Sequence, residues 1–157
     1  AGLILNGQGL LFVGHSGAGK STIVKLLRAY GQILCDDRVI VRKWPDGFHI
    51  HGTWSHGEIP EISNAEAPLK AIFFLHKAKW CSTEPVQDKR QIMKELLFRT
   101  SRPLVTREWL EQTIPTLASL ASQVQIYQLS FTKDERLLPV IEKFTGPLSR
   151  EHAANAL

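Results

Sequence analysis

The chain contains little sulfur, with 2 cysteines and 1 methionine among its 157 residues. Cys35 and Cys81 lack the close spacing of zinc ligands, which excludes a metal module built on cysteine pairs. We interpret both cysteines as unpaired, reduced thiols.

Long apolar runs are also missing. Residues 71–75, Ala-Ile-Phe-Phe-Leu, are typical of the longest runs and are too short to cross a bilayer. No positively charged leader with an apolar core precedes the first predicted strand. These features predict a cytoplasmic protein with no membrane partner. Because the chain begins with Ala1 rather than methionine, we interpret it as a piece of a longer protein whose missing front holds substrate contacts.

The sequence shows no internal repeat and no low-complexity run, so it predicts one domain. A hydrophobic content of 43% over 157 residues is enough to bury a core without a second domain. We place this domain at residues 1–145. Gly146-Pro147 is expected to open a loose tail over residues 146–157.

A nucleic-acid recognition motif is absent, although the formal net charge is +4. Basic residues thicken the middle of the chain, but acidic residues interrupt them. The pattern favours a solvated basic face or a docking site for an acidic peptide, and it predicts no nucleic-acid partner. The basic residues are Lys77, Lys79, Lys89, Arg90 and Lys94.

Residues 14–21, Gly-His-Ser-Gly-Ala-Gly-Lys-Ser, are the most informative segment that is present. They fill every fixed position of Gly-x-x-x-x-Gly-Lys-[Ser/Thr], and the apolar run 10–13 precedes them. The glycines allow backbone amides to close on phosphate oxygens, Lys20 adds positive charge, and Ser21 offers a hydroxyl to Mg²⁺. The alternative is a glycine-rich turn without a ligand. The predicted nucleotide contacts are Gly14, His15, Ser16, Gly17, Ala18, Gly19, Lys20, Ser21 and Thr22.

Two acids follow after one helix. Residues 21–28 are predicted to form an amphipathic helix, and Gln32-Ile33-Leu34-Cys35 a short strand that ends at Asp36 and Asp37. Ligands of open α/β sheets gather at the carboxyl ends of strands, so a strand beside the loop strand would bring both carboxylates to the phosphates. One acid is suited to hold Mg²⁺ and the other to accept a proton. A strand-ending turn is the plainer alternative.

The remaining pattern alternates strands and helices. Asn6-Gly7 predicts a tight hairpin between strands at 2–5 and 10–13, and residues 38–42 and 47–51 predict a second hairpin. Further strands are predicted at 71–75 and 124–131. Helices are predicted at 88–98, from an N-cap at Thr106 as far as a break at Pro115, and at 135–144.

The loop, the single helix and the Leu-x-Asp-Asp strand together resemble the catalytic domain of HPr serine kinase/phosphorylase and its relative, ATP-dependent phosphoenolpyruvate carboxykinase. Residues 52–58 and 67–75 resemble the shorter HPr-kinase-like proteins found with peptide-modification systems. The resemblance covers most of the chain up to about residue 75, and 124–131 has the look of a late strand of the group. It implies an α/β fold in which a mixed β-sheet with hairpins carries the phosphate-binding loop (P-loop) and is flanked by helices.

The resemblance also implies roles for particular residues. Ser21 matches the magnesium hydroxyl, Asp37 the base that deprotonates the target serine, and Asp36 a residue that supports the metal's water shell. Glu58 resembles a further magnesium ligand, although a solvated loop glutamate explains it equally well. The family's histidine before the loop strand and its Glu-Ile-Arg-Gly-type signature are absent, which argues against HPr itself as substrate and against phosphorolysis.

Several other residues invite a functional interpretation. Arg99 and Arg102 follow a predicted helix, where either could neutralise charge on the transferred phosphoryl group or simply complement the helix terminus. His49, His51 and His56 could hold a transition metal, but a polar strand face explains their spacing.

The sequence therefore predicts an ATP- and Mg²⁺-dependent kinase acting on a serine of a small protein or peptide, with Lys20, Asp37 and Arg99 as catalytic residues. A nucleotide-binding regulatory module that has lost catalysis is the alternative. A carboxykinase-type enzyme ranks last because its long substrate domain is absent. A homo-oligomer is possible by resemblance, though no interface pattern is visible.

Overall fold

The computed structural model describes residues 1–101 and 105–150. Within these ranges the protein is a mixed α/β structure with eight strands in one mixed sheet and four α-helices. None of the helices in these two ranges has both the length and the apolar character required to span a membrane.

The secondary structure follows the order that the sequence predicts, with one added strand. The strands are β1 (Gly2–Leu5), β2 (Gln8–Val13), β3 (Gln32–Cys35), β4 (Ile40–Trp44), β5 (Gly47–His51), β6 (Glu66–Lys77), β7 (Ser82–Pro85) and β8 (Gln125–Phe131). The helices are α1 (Lys20–Leu27), α2 (Lys89–Arg99), α3 (Arg107–Gln123) and α4 (Leu138–Thr145), the last preceded by a 3₁₀ turn at Glu135–Leu137.

Strand β6 organises the sheet because it pairs along its length with three other strands. Its central part pairs in parallel with β2, its later part in parallel with β8, and its first residues antiparallel with β5. Beyond β2 the order continues through β1 to β3, beyond β5 it ends at β4, and β7 flanks β8. Since β1 is antiparallel to both neighbours, β3 runs in the same direction as β2 and ends at the same edge of the sheet.

The core lies on both faces of the sheet because successive side chains of a strand alternate between faces. In β2, Leu10 and Phe12 join a buried cluster with α1 and α4, whereas Leu11 and Val13 join a second cluster with α2 and α3. Phe12 stacks on Phe73 of β6, with ring centroids 5.3 Å apart. The helices thus form a layer on each side of the sheet.

The first hairpin confirms its sequence signal. Asn6 and Gly7 have φ angles of 48° and 73°, the left-handed conformations that a type I′ turn requires. The Asn6 amide also donates to the carbonyl oxygens of Thr145 and Pro147, at 3.0 and 2.8 Å. Pro147, in the segment assigned from the sequence to a loose tail, therefore contacts the first hairpin. Residues 151–157 of that predicted tail lie outside the described residues.

Pro115 does not break the third helix, so that expectation was wrong. Helix α3 runs continuously from Arg107, capped by the Thr106 hydroxyl, to Gln123. The missing amide of Pro115 deprives the Glu111 carbonyl of its helical partner, but both residues are exposed. Water can satisfy that carbonyl, which makes the proline tolerable there.

Candidate active site

The glycine-rich segment 14–21 forms the connection between β2 and α1. Gly17 and Gly19 have φ angles of 77° and 107°, conformations that L side chains rarely adopt. A Cβ at Gly19 would also lie 2.5 Å from the Phe131 ring, so both backbone shape and packing require glycine there. His15, Ser16 and Gly17 are exposed and Ala18 is buried.

Lys20 folds back over the loop from the first turn of α1. Its ammonium donates to the carbonyl oxygens of Gly14 and His15, at 3.1 and 3.2 Å. Gly14, Gly19, Ser21 and Thr22 are, like Lys20, partly buried. The positive charge is thereby held at the mouth of the loop rather than extended into solvent.

Asp36 is the buried acid of the pair and joins three segments of the chain. Only 2% of its surface is exposed. Its carboxylate accepts hydrogen bonds from the Ser21 hydroxyl at 3.1 Å, from the Gly57 amide at 2.6 Å and from the Ile59 amide at 3.1 Å. The contact between Asp36 and Ser21 ties the end of β3 to the start of α1.

The ionisation of Asp36 reflects a balance between burial and hydrogen bonding. Burial acts to raise the pKa of the carboxyl, but the Gly57 and Ile59 amides and the Ser21 hydroxyl together hold the pKa below its ordinary value. The carboxylate form is therefore favoured in spite of its burial. Asp36 is a fixed negative charge beside the glycine-rich loop.

Asp37 is more exposed than Asp36 and has different partners. Its side chain is 43% exposed, with the Arg38 Nε 3.6 Å from its carboxylate. The Ser55 hydroxyl donates to the same carboxylate at 3.1 Å. Asp37 is thus an accessible acceptor for a hydroxyl group, whereas Asp36 is enclosed.

A cleft of about 790 Å³ brings together three predicted catalytic residues, Lys20, Asp37 and Arg99. Arg99 forms an ion pair with Glu95 one turn earlier on α2, at 3.2 Å, and its side chain is 32% exposed. Gly14 lines the same cleft. The structure thus collects around one cavity residues from the loop, the end of β3 and the end of α2. Arg102, the other arginine considered, lies outside the described residues.

Glu58 is not part of this arrangement of acids. Its carboxylate is exposed and pairs with Lys25 on the outer surface of α1, at 3.3 Å. Its backbone amide, rather than its side chain, acts on Asp36. The predicted trio of Ser21, Asp36 and Glu58 thus reduces to a contact between Ser21 and Asp36, with the Glu58 side chain engaged elsewhere.

The histidines are engaged separately. His49 contacts Asp46 at 3.0 Å, His51 contacts Glu66 at 2.9 Å, and the His56 ring faces the Gly57 carbonyl. Across residues 1–101 and 105–150, no three His, Cys, Asp or Glu side chains are grouped so that they could hold a metal ion. The pairings account for His49 and His51 as polar contacts on a strand face.

Sequence reasoning missed one wall of the cleft. Helix α3 lines it with Trp109, Gln112, Thr113 and Thr116. These residues recur at helical spacing, so the helix prediction could have shown that they share a face. Ser55 and the amides of Gly57 and Ile59 were also missed, because they lie in a loop whose path carries no periodic signal.

The sequence predicted that β3, which leads to the two acids, would lie beside β2, the strand that leads to the loop. β1 separates β3 from β2, so the acid strand is not the neighbour of the loop strand. The contact between Asp36 and Ser21 forms nevertheless, because β3 and β2 end at the same edge of the sheet and α1 begins there. Comparisons of the chain with family models, with curated proteins and with solved structures found no match.

Proposed function

We propose that the protein is an ATP-dependent kinase of the HPr-kinase-like type that transfers a phosphoryl group to a serine of a protein or peptide. The observation that carries the proposal is the contact between Ser21 and Asp36 beside a cleft that Lys20, Asp37 and Arg99 line. Loop, cation, buried acid and accessible acid are the components that phosphoryl transfer requires.

The loop suits phosphate in its shape. Among the described residues, no heavy atom other than those of residues 16–18 lies within 4 Å of the place where a Cβ of Gly17 would be, so the backbone there is open to a ligand. The N-terminus of α1 adds amide groups and a partial positive charge, and Lys20 adds a full one. In the proposed complex, 14–22 holds the β and γ phosphates of ATP.

The oxygen atoms of Ser21 and Asp36 fit Mg²⁺, which prefers such ligands and usually takes only one or two carboxylates in phosphate sites. When bound, Mg²⁺ would supply positive charge that neutralises the phosphates. Asp36 suits this role because it stays ionised and is held rigidly by two backbone amides. Glu58 is not needed as a ligand in this scheme, and its ion pair with Lys25 gives it another role.

Asp37 is proposed as the base. In the transfer step, the serine oxygen of the acceptor attacks the γ phosphorus, the bond to the β–γ bridging oxygen breaks, and ADP leaves. The hydroxyl proton passes to the Asp37 carboxylate, which already accepts a hydrogen bond from Ser55. Lys20 and Arg99 would balance negative charge on the transferred group.

Transfer of label from γ-labelled ATP to serine peptides tests this function. Wild-type protein should label serine in the presence of Mg²⁺, and Asp37→Asn should slow transfer by about 10²–10⁴-fold without weakening ATP binding. Asp88→Asn, which changes an exposed acid at the N-cap of α2 and keeps a residue that caps equally well, is the matched control and should transfer normally. Undiminished transfer by Asp37→Asn would remove the proposed base.

A nucleotide-binding regulatory module without transfer is the second candidate. The sequence favours it because it lacks the Glu-Ile-Arg-Gly-type signature that lies near the substrate in the family it resembles. This candidate predicts Mg²⁺-dependent ATP binding with no label passed to any peptide or to water. Serine labelling that depends on Asp37 would exclude it.

A further inference from the structure

Strand β4 is the outermost strand beyond β5 and has one unpaired edge. Among the described residues, β4 pairs with β5 alone. Most of its residues are exposed. The strand at the opposite end, β3, is different, since the amide of Ser63 donates to the Leu34 carbonyl.

The register shows which backbone groups of β4 face outward. His49 of β5 lies opposite Pro68 of β6, which has no amide hydrogen, so the backbone groups of His49 must face β4. Its partner there is Arg42. Alternation along an antiparallel pair then turns the amides and carbonyls of Val41 and Lys43 away from the sheet. These are the groups that an added strand would use.

This edge is continuous with the candidate active site. The chain passes from Asp37 through Arg38 and Val39 directly into β4. Ile40 and Val41 line the same cleft as Asp37. A chain segment laid along β4 therefore runs towards the accessible acid.

The edge carries positive charge. Arg38 is exposed, Arg42 lies over the Trp44 ring, and Lys43 donates to the Ser119 hydroxyl of α3 at 3.1 Å. Two carboxylates lie near: Asp37, beside Arg38, and Asp46, which is paired with His49. A second copy of the chain, added edge to edge, would oppose Arg42 and Lys43 with the same residues. An acidic segment is favoured instead.

The two faces of the edge differ in polarity. Val41 and Lys43 lie on the face where the cleft has an apolar floor that includes Phe48, Leu117 and Leu120. Arg42 and Trp44 lie on the other face, since side chains alternate along a strand. An added strand would therefore satisfy both faces by alternating apolar and acidic side chains.

We propose that an extended peptide with alternating acidic and apolar residues pairs with the outer edge of β4 and so presents its serine to Asp37. This inference rests on the proposed function for the serine and its transfer, and it adds the class and the docking mode of the acceptor. Strand addition of this kind takes affinity from main-chain hydrogen bonds and specificity from alternate side chains.

Fluorescence anisotropy of a labelled nonapeptide tests the docking without reference to transfer. The probe alternates valine and glutamate around a central serine, and two further probes carry N-methyl groups either on the valines or on the glutamates. Only every second amide of an added strand donates to β4. One methylated probe should therefore bind about tenfold more weakly than the other, since about two hydrogen bonds are lost.

Charge and edge variants complete the test. Arg42→Glu should weaken binding of the glutamate probe by about tenfold and improve binding of a lysine counterpart, whereas Lys77→Glu, at the exposed end of β6, should change neither. Val41→Pro, which removes an outward amide at an edge position that tolerates proline, should also weaken binding.

The outcomes separate the two proposals. Equal binding of both methylated probes, or no effect of Arg42→Glu, overturns docking at β4 even if serine is labelled. The expected binding pattern without any labelling by ATP and Mg²⁺ retains the docking and overturns the kinase. A dimer in sedimentation that Val41→Pro dissociates would assign the edge to a second copy and overturn the peptide as its occupant.

Discussion

Asp36 and Asp37 are neighbours in the chain but belong to different regions of the candidate site. Asp36 lies in the buried inner part of the site, where two backbone amides and a hydroxyl donate hydrogen bonds to its carboxylate. Asp37 lies on an open rim that it shares with Arg99 and the edge of β4. In the proposed kinase, nucleotide binding would depend on this inner part of the site and the choice of acceptor on the rim.

The largest expected effect on stability comes from changing Asp36, in the inner part of the site. Asp36→Asn places an amide nitrogen among groups that all donate hydrogen bonds, and each donor left without an acceptor costs about 1–3 kcal/mol. We expect the free energy of unfolding to fall by at least about 2 kcal/mol in denaturant titrations. The matched change on the rim, Asp37→Asn, should stay within about 0.5 kcal/mol of wild type. Equal stability of the two variants would contradict the distinction between the inner part of the site and the rim.

A second prediction concerns ATP binding at the inner part of the site. Lys20→Ala removes an ammonium that is held over the loop, and charged hydrogen bonds contribute about 1.5–3 kcal/mol. The dissociation constant for ATP, measured by calorimetry, should therefore rise by about 10–100-fold. Lys77→Ala is the control and should bind ATP like the wild type. A small effect of Lys20→Ala would mean that phosphates do not lie at the loop.

The inner part of the site could be predicted from the sequence better than the rim, for a physical reason. Residues 14–21 and the Asn6-Gly7 turn need backbone conformations that glycine favours, so the glycines in the sequence indicate them. The sequence predicted that the two acids would lie near the loop, but it did not predict the specific contact between Asp36 and Ser21. It also did not predict that β1 lies between β3 and β2. The cleft wall from α3 arises from tertiary packing, which no local pattern records.

The strands illustrate the same limit. Strand β7 was missed because Ser-Thr-Glu-Pro has little apolar alternation and gains its place by pairing with β8. Pro115 was misjudged because helix propensity alone ignores that the affected carbonyl is exposed. Glu58 was assigned as a magnesium ligand by resemblance alone, yet its side chain pairs with Lys25.

A third prediction uses acid pH to sharpen the comparison of the two acids. The pKa of Asp36 is lower in the folded protein than in an unfolded chain, so its contribution to stability is complete above the unfolded pKa, about 4, and is lost as the pH falls through the folded value. The stability difference between wild type and Asp36→Asn should shrink as the pH falls below about 4. A difference that stays constant under acid would contradict an ionised, hydrogen-bonded Asp36.

The smallest effect is expected at Glu58. Its ion pair with Lys25 is exposed on both sides, and such pairs contribute about 0–1 kcal/mol. Glu58→Gln should therefore change the free energy of unfolding by less than about 1 kcal/mol and leave the Mg²⁺ dependence of ATP binding intact. Loss of that dependence would restore Glu58 as a metal ligand.

The most direct test of the division between the inner part of the site and the rim is the Mg²⁺ dependence of ATP affinity, measured by calorimetry for Asp36→Asn and Asp37→Asn side by side. If Asp36 holds the metal, Asp36→Asn should bind ATP equally well with and without Mg²⁺, whereas Asp37→Asn should keep the full gain that Mg²⁺ gives the wild type. The reverse pattern, with the gain lost only in Asp37→Asn, would contradict the assignment of both acids.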